Sequence, residues 1–299
     1  MKIETKKIDA CKREISIEIP KELVSQKFDE IYKEIGKKAQ IKGFRPGKAP
    51  RDILESRHSD LARDEVLKDL IPSTYKEAIE KENLEPVDMP EVSDVQFKQG
   101  VISFKAKVEI RPEVKIKNYK SLRVKRKKTK VSDEDIDKSL DSLKKSQGLD
   151  DKASIDDAFA KGLGHSNLAD LKENIRKQME IIKDQQARQD MENQIIEQLF
   201  KNSSFDLPET PVRKQLDYMV KDAKMRLSYQ GMKKEDAEAK DKELREQLKE
   251  EAKKAVRIYF ILDKIAQLEN LEVKEEDQLS KKVMEFLLKE AQWSNEDTA

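Results

Sequence analysis

VQFKQGVISFKAKVEIRP, residues 95–112, lets two strands and the turn between them be read from the order of residue types alone. Phe104, Ala106, Val108 and Ile110 alternate with Ser103, Lys105, Lys107 and Glu109, the period of a strand with one buried face, and Gln99-Gly100 can turn a hairpin. Such a hairpin must cover its apolar face, and suitable partners lie upstream. Ile15, Ile17 and Ile19 repeat the alternation before Pro20 closes it. Leu23, Phe28, Ile31, Tyr32 and Ile35 then recur at helical spacing between Lys21 and Ala39. After Pro50, a residue suited to a first helical turn, the helical pattern resumes through Ile53, Leu54, Leu61, Val66, Leu67, Leu70, Ile71 and Tyr75. Strand, helices and hairpin predict a small α+β domain over residues 1–112.

Downstream the pattern changes twice. Residues 113–147 begin extended and basic, with nine bases and no acid between Lys115 and Lys130. Ser132 and Asp135 then form a capping-box start for a short helix with Ile136, Leu140 and Leu143 on one face. This segment is expected to be a linker, its basic run either a solvated connector or a second RNA contact. From residue 148 to 299 the chain is almost wholly helical. Asn167 and Asp170 cap a long helix marked by Leu168, Leu171, Ile175, Met179 and Ile182, whose stripe lapses in KDQQARQDMENQ (183–194) before Ile195, Ile196, Leu199 and Phe200 restore it. That polar middle is expected to be exposed on more than one side. DLPETP (206–211) starts another helix that Gly231 ends, a third runs from Asp241 to Glu269, and a last one holds Val283, Phe286 and Leu287. The expected fold is therefore mixed but predominantly α: an α+β domain, an extended basic linker, and an all-α domain of long helices forming arms.

Charged residues are 41% of the 299 and aromatics 5%, a balance suited to long solvent-washed helices. Lone Cys11 excludes an intramolecular disulfide, the opening residues lack an apolar h-region, and no apolar run reaches the roughly 20 residues of a membrane span. A cytoplasmic protein with no membrane partner is expected. The net charge of +1 conceals an asymmetry of +9 over residues 1–130 and −8 over the remainder. The front half should favour anionic surfaces.

His58 and His165 are the only histidines, which excludes the usual zinc sites and disfavours a histidine-based triad; no phosphate-binding glycine pattern occurs. No catalytic residue, metal or cofactor is therefore expected. GFRPGKAP (43–50) carries more information. No acid falls between Glu34 and Asp52, while Lys37, Lys38, Lys42, Arg45, Lys48 and Arg51 give +6. A cationic focus releases counterions from a polyanion such as RNA. Gly43 and Gly47 permit tight backbone, Pro46 and Pro50 restrict it, and less ordering entropy is then lost on docking. Phe44 would stack on an unpaired base or fill a protein pocket; in the plainer alternative it folds back on its own domain.

Five of the eight methionines lie between Met179 and Met232. Methionine-bearing helical surfaces adapt to unrelated apolar sequences. Met179, Met191, Met219, Met225, Leu227 and Tyr229 are the candidate contacts for such a partner, against ordinary packing as the plainer reading.

GFRPGKAP after an amphipathic helix, with PEVSDVQFKQGVISFKAKVEIRPEVKIKNYKSLRV (90–124), closely resembles the trigger factor family of bacterial ribosome-associated chaperones. The likeness continues in DLKENIRKQME, FDLPETPVRKQLDYMV and VMEFLLKEAQW. By this resemblance Gly43, Phe44, Arg45, Gly47, Lys48 and Pro50 fall on the ribosome-docking signature. Pro46 stands where a lysine is often found, which removes a cationic contact and adds stiffness. The family usually carries an FK506-binding-type prolyl isomerase domain between linker and C-terminal region; here the helix ending near Gln147 meets GLDDKASIDDAFAKGLGHSNL almost at once, so isomerase activity is not carried over. The segment after Glu272 is also shorter than the family's second arm.

The resemblance implies an ATP-independent chaperone that docks near the nascent-chain exit. Its implied partners are the large ribosomal subunit, through protein and rRNA, and nascent or unfolded polypeptides; a weak homodimer is the form of self-association to test. The rival readings are an RNA-binding helical scaffold and a chaperone that retains isomerase activity.

Overall fold

The computed structural model describes residues 1–38, 44, 50–126, 130–148, 154–273 and 276–295. The N-terminal elements are β1 (Lys2–Lys7), β2 (Lys12–Ile19), α1 (Lys21–Lys38), α2 (Arg51–Lys81), β3 (Glu91–Lys98) and β4 (Val101–Glu109). The strands form one antiparallel sheet in the order β1-β2-β4-β3. Its register sets Ile15 opposite Ala106, Ile17 opposite Phe104 and Ile19 opposite Ile102, all buried. The alternation visible in the sequence is thus the inner face of this sheet. Val24, Ile31, Leu54, Ala62, Val66 and Leu70 of the two helices cover it. The β3–β4 turn has both central residues at positive φ, Gln99 at 52° and Gly100 at 83°, the handedness that matches strand twist in a two-residue hairpin.

α2 is less regular than its apolar pattern suggests, because His58 leaves helical geometry (φ −129°, ψ 23°) and Pro72 lies within it. Pro72 cannot donate to the preceding turn. Nearby, Ser73 donates to the Asp69 carbonyl at 2.8 Å and Thr74 to the Leu70 carbonyl at 2.5 Å, so hydroxyls engage carbonyls in the disturbed turn.

The chain continues through β5 (Lys115–Ile116), β6 (Arg123–Arg126), α3 (Asp133–Ser146), α4 (Asp157–Gly162), α5 (Leu168–Lys201), β7 (Ser203–Ser204), α6 (Glu209–Tyr229), α7 (Lys234–Ala239), α8 (Asp241–Leu268), α9 (Glu276–Glu290) and β8 (Gln292–Asn295). It divides into two compact units, Met1–Glu113 with Phe205–Phe260, and Val114–Ser204 with Ile261–Ala299.

In the first unit, Cys11 is buried and its thiol donates to the Asp206 carbonyl; burial first, then Asp9, pushes its pKa up. Glu109 accepts from the Thr210 N–H at 2.7 Å, and Lys12 meets Glu209 at 2.6 Å.

In the second unit the Ser132–Asp135 capping box forms as its spacing indicates, and Asn167 caps α5. Residues 133–146 are more than a tether: Ile136 and Leu140 are fully buried with Ala160, Leu171 and Ile175. Ion pairs of Asp133 with Arg176, Asp137 with Lys172 and Asp135 with Lys183, at 2.6, 3.1 and 2.7 Å, line the α3–α5 seam. The polar middle of α5 keeps a buried stripe one residue wide, Ala187 and Met191 leading to Ile195 and Leu199. A single column of i, i+4 positions needs few apolar residues, so the stripe is thin in sequence yet continuous in space. The basic run is tied down as well, since β5 pairs with β7, β6 pairs with β8, and Leu122 and Val124 are buried. No helix among the described residues is long and apolar enough to cross a membrane.

Candidate functional site

α1 ends at Lys38, ahead of the GFRPGKAP segment, and α2 begins at Arg51, directly after it. They approach closely near it: a β-carbon on Gly36 would lie 3.1 Å from Leu54 Cδ1. Pro50, extended at φ −61° and ψ 153°, opens α2, its carbonyl accepting from the Ile53 and Leu54 N–H groups. Of the candidate docking residues, Phe44 and Pro50 are described, and Gly43, Arg45, Pro46, Gly47 and Lys48 lie outside the described residues, as does Lys42. Phe44 is 40% exposed, so its ring is not enclosed by its own domain. Lys37 and Lys38 are exposed and make no ion pair among the described residues.

Arg51 corrects the tally of available cations. Its guanidinium bonds Asp29, meets Glu55 at 2.6 Å, and sits 5.5 Å from the Tyr32 ring centroid. Hydrogen bonds to Glu55 and then Asp29 push its pKa up. Two carboxylates already satisfy this charge, so Arg51 fastens α1 to α2 and leaves little for an outside phosphate. Sequence distance hid this, because Asp29 is 22 residues away. Tyr32 stacks on Phe28 at 6.0 Å between centroids, Phe28 meets Phe97 edge-on at 5.9 Å, and Arg63 lies 5.5 Å from the Phe97 centroid. The base of the candidate docking segment is therefore a packed aromatic and cationic cluster.

The candidate apolar contacts divide by position. On α5, Met191 is buried and Met179 packs against the core of α3, α4 and α5, so both serve interior packing. Ile181 and Ile182, at 58% and 51% exposure, are the large apolar groups that α5 shows to water. On α6, Met219 and Leu227 are half-buried, whereas Met225 and Tyr229 are 49% and 85% exposed. Tyr218, absent from the sequence-based candidates, is 66% exposed on the same helix. It lies outside the Leu216, Met219, Val220 and Ala223 pattern that marks the helix in the sequence.

Beside Met225, a cleft of about 520 Å³ is floored by Val220, Met232 and Ala237. Its walls are charged, and several of those charges pair with one another. Lys224 meets Glu238 at 2.5 Å and Asp241 at 2.6 Å, and Arg245 meets Asp217 at 2.6 Å and Asp241 at 2.7 Å. Hydrogen bonds from Lys224 and then Arg245 hold the Asp241 carboxyl below its usual range. Exposed apolar groups rimmed by satisfied ion pairs suit weak, exchangeable apolar contacts.

Two family models match the chain in succession, one described as bacterial trigger factor protein over residues 1–143 and one as bacterial trigger factor C-terminus over residues 167–295. The trigger factor of a Geobacillus species is 26% identical over 378 aligned positions, covering 93% of this chain and 88% of the relative. That of Halalkalibacterium halodurans is 26% identical over 372 positions, covering 91% and 86%. That of Geotalea daltonii is 25% identical over 393 positions, covering 99% and 89%. These alignments are longer than the 299 residues of this chain, so the relatives hold internal residues that it lacks; the two matched segments leave only residues 144–166 between them. A solved structure described for promiscuous substrate recognition by the trigger factor chaperone shares the fold, with a TM-score of 0.56 at 16% identity, over 97% of this chain and 100% of that one.

Proposed function

The chain belongs to the bacterial trigger factor family, and from that premise we propose that it is a ribosome-associated chaperone that docks beside the nascent-chain exit and holds emerging polypeptides without consuming ATP. In this reading residues 1–112 dock, 113–147 connect and 148–299 hold clients. The observation that carries it is the exposed Phe44 ring, in a segment flanked by Lys37 and Lys38 with no carboxylate partner among the described residues. The ring enters a ribosomal protein pocket or stacks on a base, and the cations Lys37, Lys38, Lys42, Arg45 and Lys48 displace counterions from rRNA. Pro46 and Pro50 restrict the backbone of the segment and so limit the entropy lost on docking, while Gly43 and Gly47 permit tight backbone there.

Clients are held by many small apolar contacts, Met225, Tyr229 and Tyr218 among them, each weak enough to release as the client folds. Isomerase activity is not part of the proposal, since residues 144–166 cannot supply a domain with an aromatic-lined pocket.

Ribosome cosedimentation of a Phe44→Ala/Arg45→Ala/Lys48→Ala variant tests the docking. Binding should fall at least tenfold, by an order-of-magnitude argument from the loss of one anchor and two charge contacts. Pelleting equal to that of the parent chain would overturn it. Strong salt-sensitive binding to free RNA without suppression of client aggregation would instead favour the RNA scaffold.

A further inference from the structure

β6 is held on both edges, by different means. On one edge Gln198 accepts from the Arg123 N–H at 3.2 Å and donates to the Arg123 carbonyl at 2.8 Å. Gln194, one turn earlier on α5, accepts from the Lys125 N–H at 2.9 Å and donates to the Lys125 carbonyl at 3.0 Å. A primary amide offers a donor and an acceptor much as a peptide group does. Four helical residues rise about 6 Å and two strand residues about 6.6 Å, so glutamines at i and i+4 match alternate residues of a strand. The pair substitutes for a neighbouring strand. Val124, between the two bonded residues, is fully buried, so β6 is anchored by the glutamine pair and by a core residue besides its other edge.

Because backbone groups alternate along a strand, Leu122, Val124 and Arg126 present theirs to that other edge. There β8 lies parallel, with Trp293 opposite Val124, and the Gln292 N–H donates to the Leu122 carbonyl at 2.8 Å. The side chains of β8 add little burial: Gln292 and Ser294 are exposed, and Trp293 is 49% exposed. A short strand of this kind is held mainly by its ladder, which places it among the segments that open most readily.

We infer that the β8-facing edge of β6 is a receptor for extended polypeptide, that Gln292–Asn295 is its resident ligand, and that an unfolded client adds a strand in its place. This rests on the chaperone reading and gives it a second mode of holding. Recognition is mainly through peptide N–H and C=O groups, so it tolerates many side-chain sequences, requires a proline-free stretch, and selects what unfolded chains expose and folded ones pair. The partner is thus a disordered segment able to become a strand, with an apolar residue preferred opposite Val124.

Trp293 is the sole tryptophan and reports directly on β8. The full chain is titrated with a short Trp-free peptide of alternating valine and threonine with lysine ends, and with a control carrying proline at alternate positions. The strand-forming peptide should shift Trp293 emission to the red and raise its quenching by acrylamide; the proline peptide should do neither. The parallel register directs the Ser294 N–H to the Val124 carbonyl, so Ser294→Pro removes a ladder bond at an exposed site. If β8 is docked nine-tenths of the time, freeing the edge tightens apparent peptide affinity about tenfold. Peptide binding that leaves Trp293 unmoved, or equal affinity in the parent and Ser294→Pro, would overturn strand exchange. Aggregation of an unfolded client, followed in parallel, separates the two ideas. Suppression with a static Trp293 overturns the exchange and leaves the chaperone standing, whereas a moving Trp293 without suppression supports the exchange and sinks the chaperone.

Discussion

Placing a β-carbon on Gly36 sets two effects of similar size against each other where α1 meets α2. Ordinary carbon contacts are about 3.5–4.0 Å, and the added carbon would stand 3.1 Å from Leu54 Cδ1, on a side chain only 5% exposed. Gly36→Ala gains about 0.8–1 kcal/mol of helix propensity, while overpacking costs about 1–3 kcal/mol. Because a shift of a few tenths of an ångström relieves the contact, the alanine variant should stay within about 1 kcal/mol of the parent. Gly36→Val adds two branch carbons at the same point and should lose about 2–3 kcal/mol. Leu54→Ala alone should lose about 2–5 kcal/mol through its cavity. The double variant Gly36→Val/Leu54→Ala should lose less than the sum, since the valine methyls enter the space left by the leucine. Hydrogen exchange of the α1 and α2 amides isolates these helices from the rest of the chain and reads each loss locally. Strict additivity in the double variant, or a valine variant as protected as the parent, would refute the close helix approach.

Other consequences can be checked separately. Gly100→Ala places a β-carbon 3.0 Å from Lys21 Cγ at a φ of +83°; thermal melts should show a loss of about 1–2 kcal/mol, and Gln99→Asn should raise the melting point. Hydrogen bonds from Lys183 and then Ser132 hold the Asp135 carboxyl at about 2. A lowered folded pKa contributes stability above the usual value of 3.8 that is lost as pH falls toward 2, so acid titration followed by circular dichroism should loosen α3 in that window, and Asp135→Asn should flatten the response. Among the described residues the Tyr75 hydroxyl is buried without a hydrogen-bond partner, and burial pushes its pKa up to about 12. Stability should therefore decline as pH climbs from about 10 toward 12, less steeply in Tyr75→Phe than in the parent, and Tyr75→Phe should also gain about 1 kcal/mol in urea unfolding at neutral pH. Met225→Ser/Tyr229→Ser should reduce suppression of client aggregation with unchanged helix content; full suppression would remove α6 from the client surface.

Local signals in the sequence carried most of the architecture. Alternation in 101–109, the Ser132–Asp135 box and the Asn167 cap each rest on residues within a few positions of one another, and each appears in the structure. β1 was not legible, because KIETKK has one apolar residue and gains its place by pairing with β2. The same holds for β6 and β8, whose pairing joins residues far apart in the chain, and for the amide pairing of Gln194 and Gln198, which looks like ordinary helix polarity until β6 is beside it. Within the candidate site, composition singled out GFRPGKAP and the structure adds the exposure of Phe44. It could not reveal that Arg51 is claimed by Asp29, since charge counting is blind to pairing across a helix hairpin, whereas Glu55, four residues on in α2, lies within an i, i+4 reading.

Residues 205–260 belong with the unit that starts at Met1, so that body cannot be completed in the order in which it is made. At about 5–20 residues per second, the stretch from Val114 to Ser204 delays its last part by roughly 5–18 s. The sheet and its two covering helices can close early, since their core lies within the first 113 residues. The bonds from Cys11 to Asp206 and from Thr210 to Glu109 must wait. For those seconds the edge near Cys11 is itself an unfinished nascent surface, and a pause in translation between codons 114 and 204 would prolong its exposure.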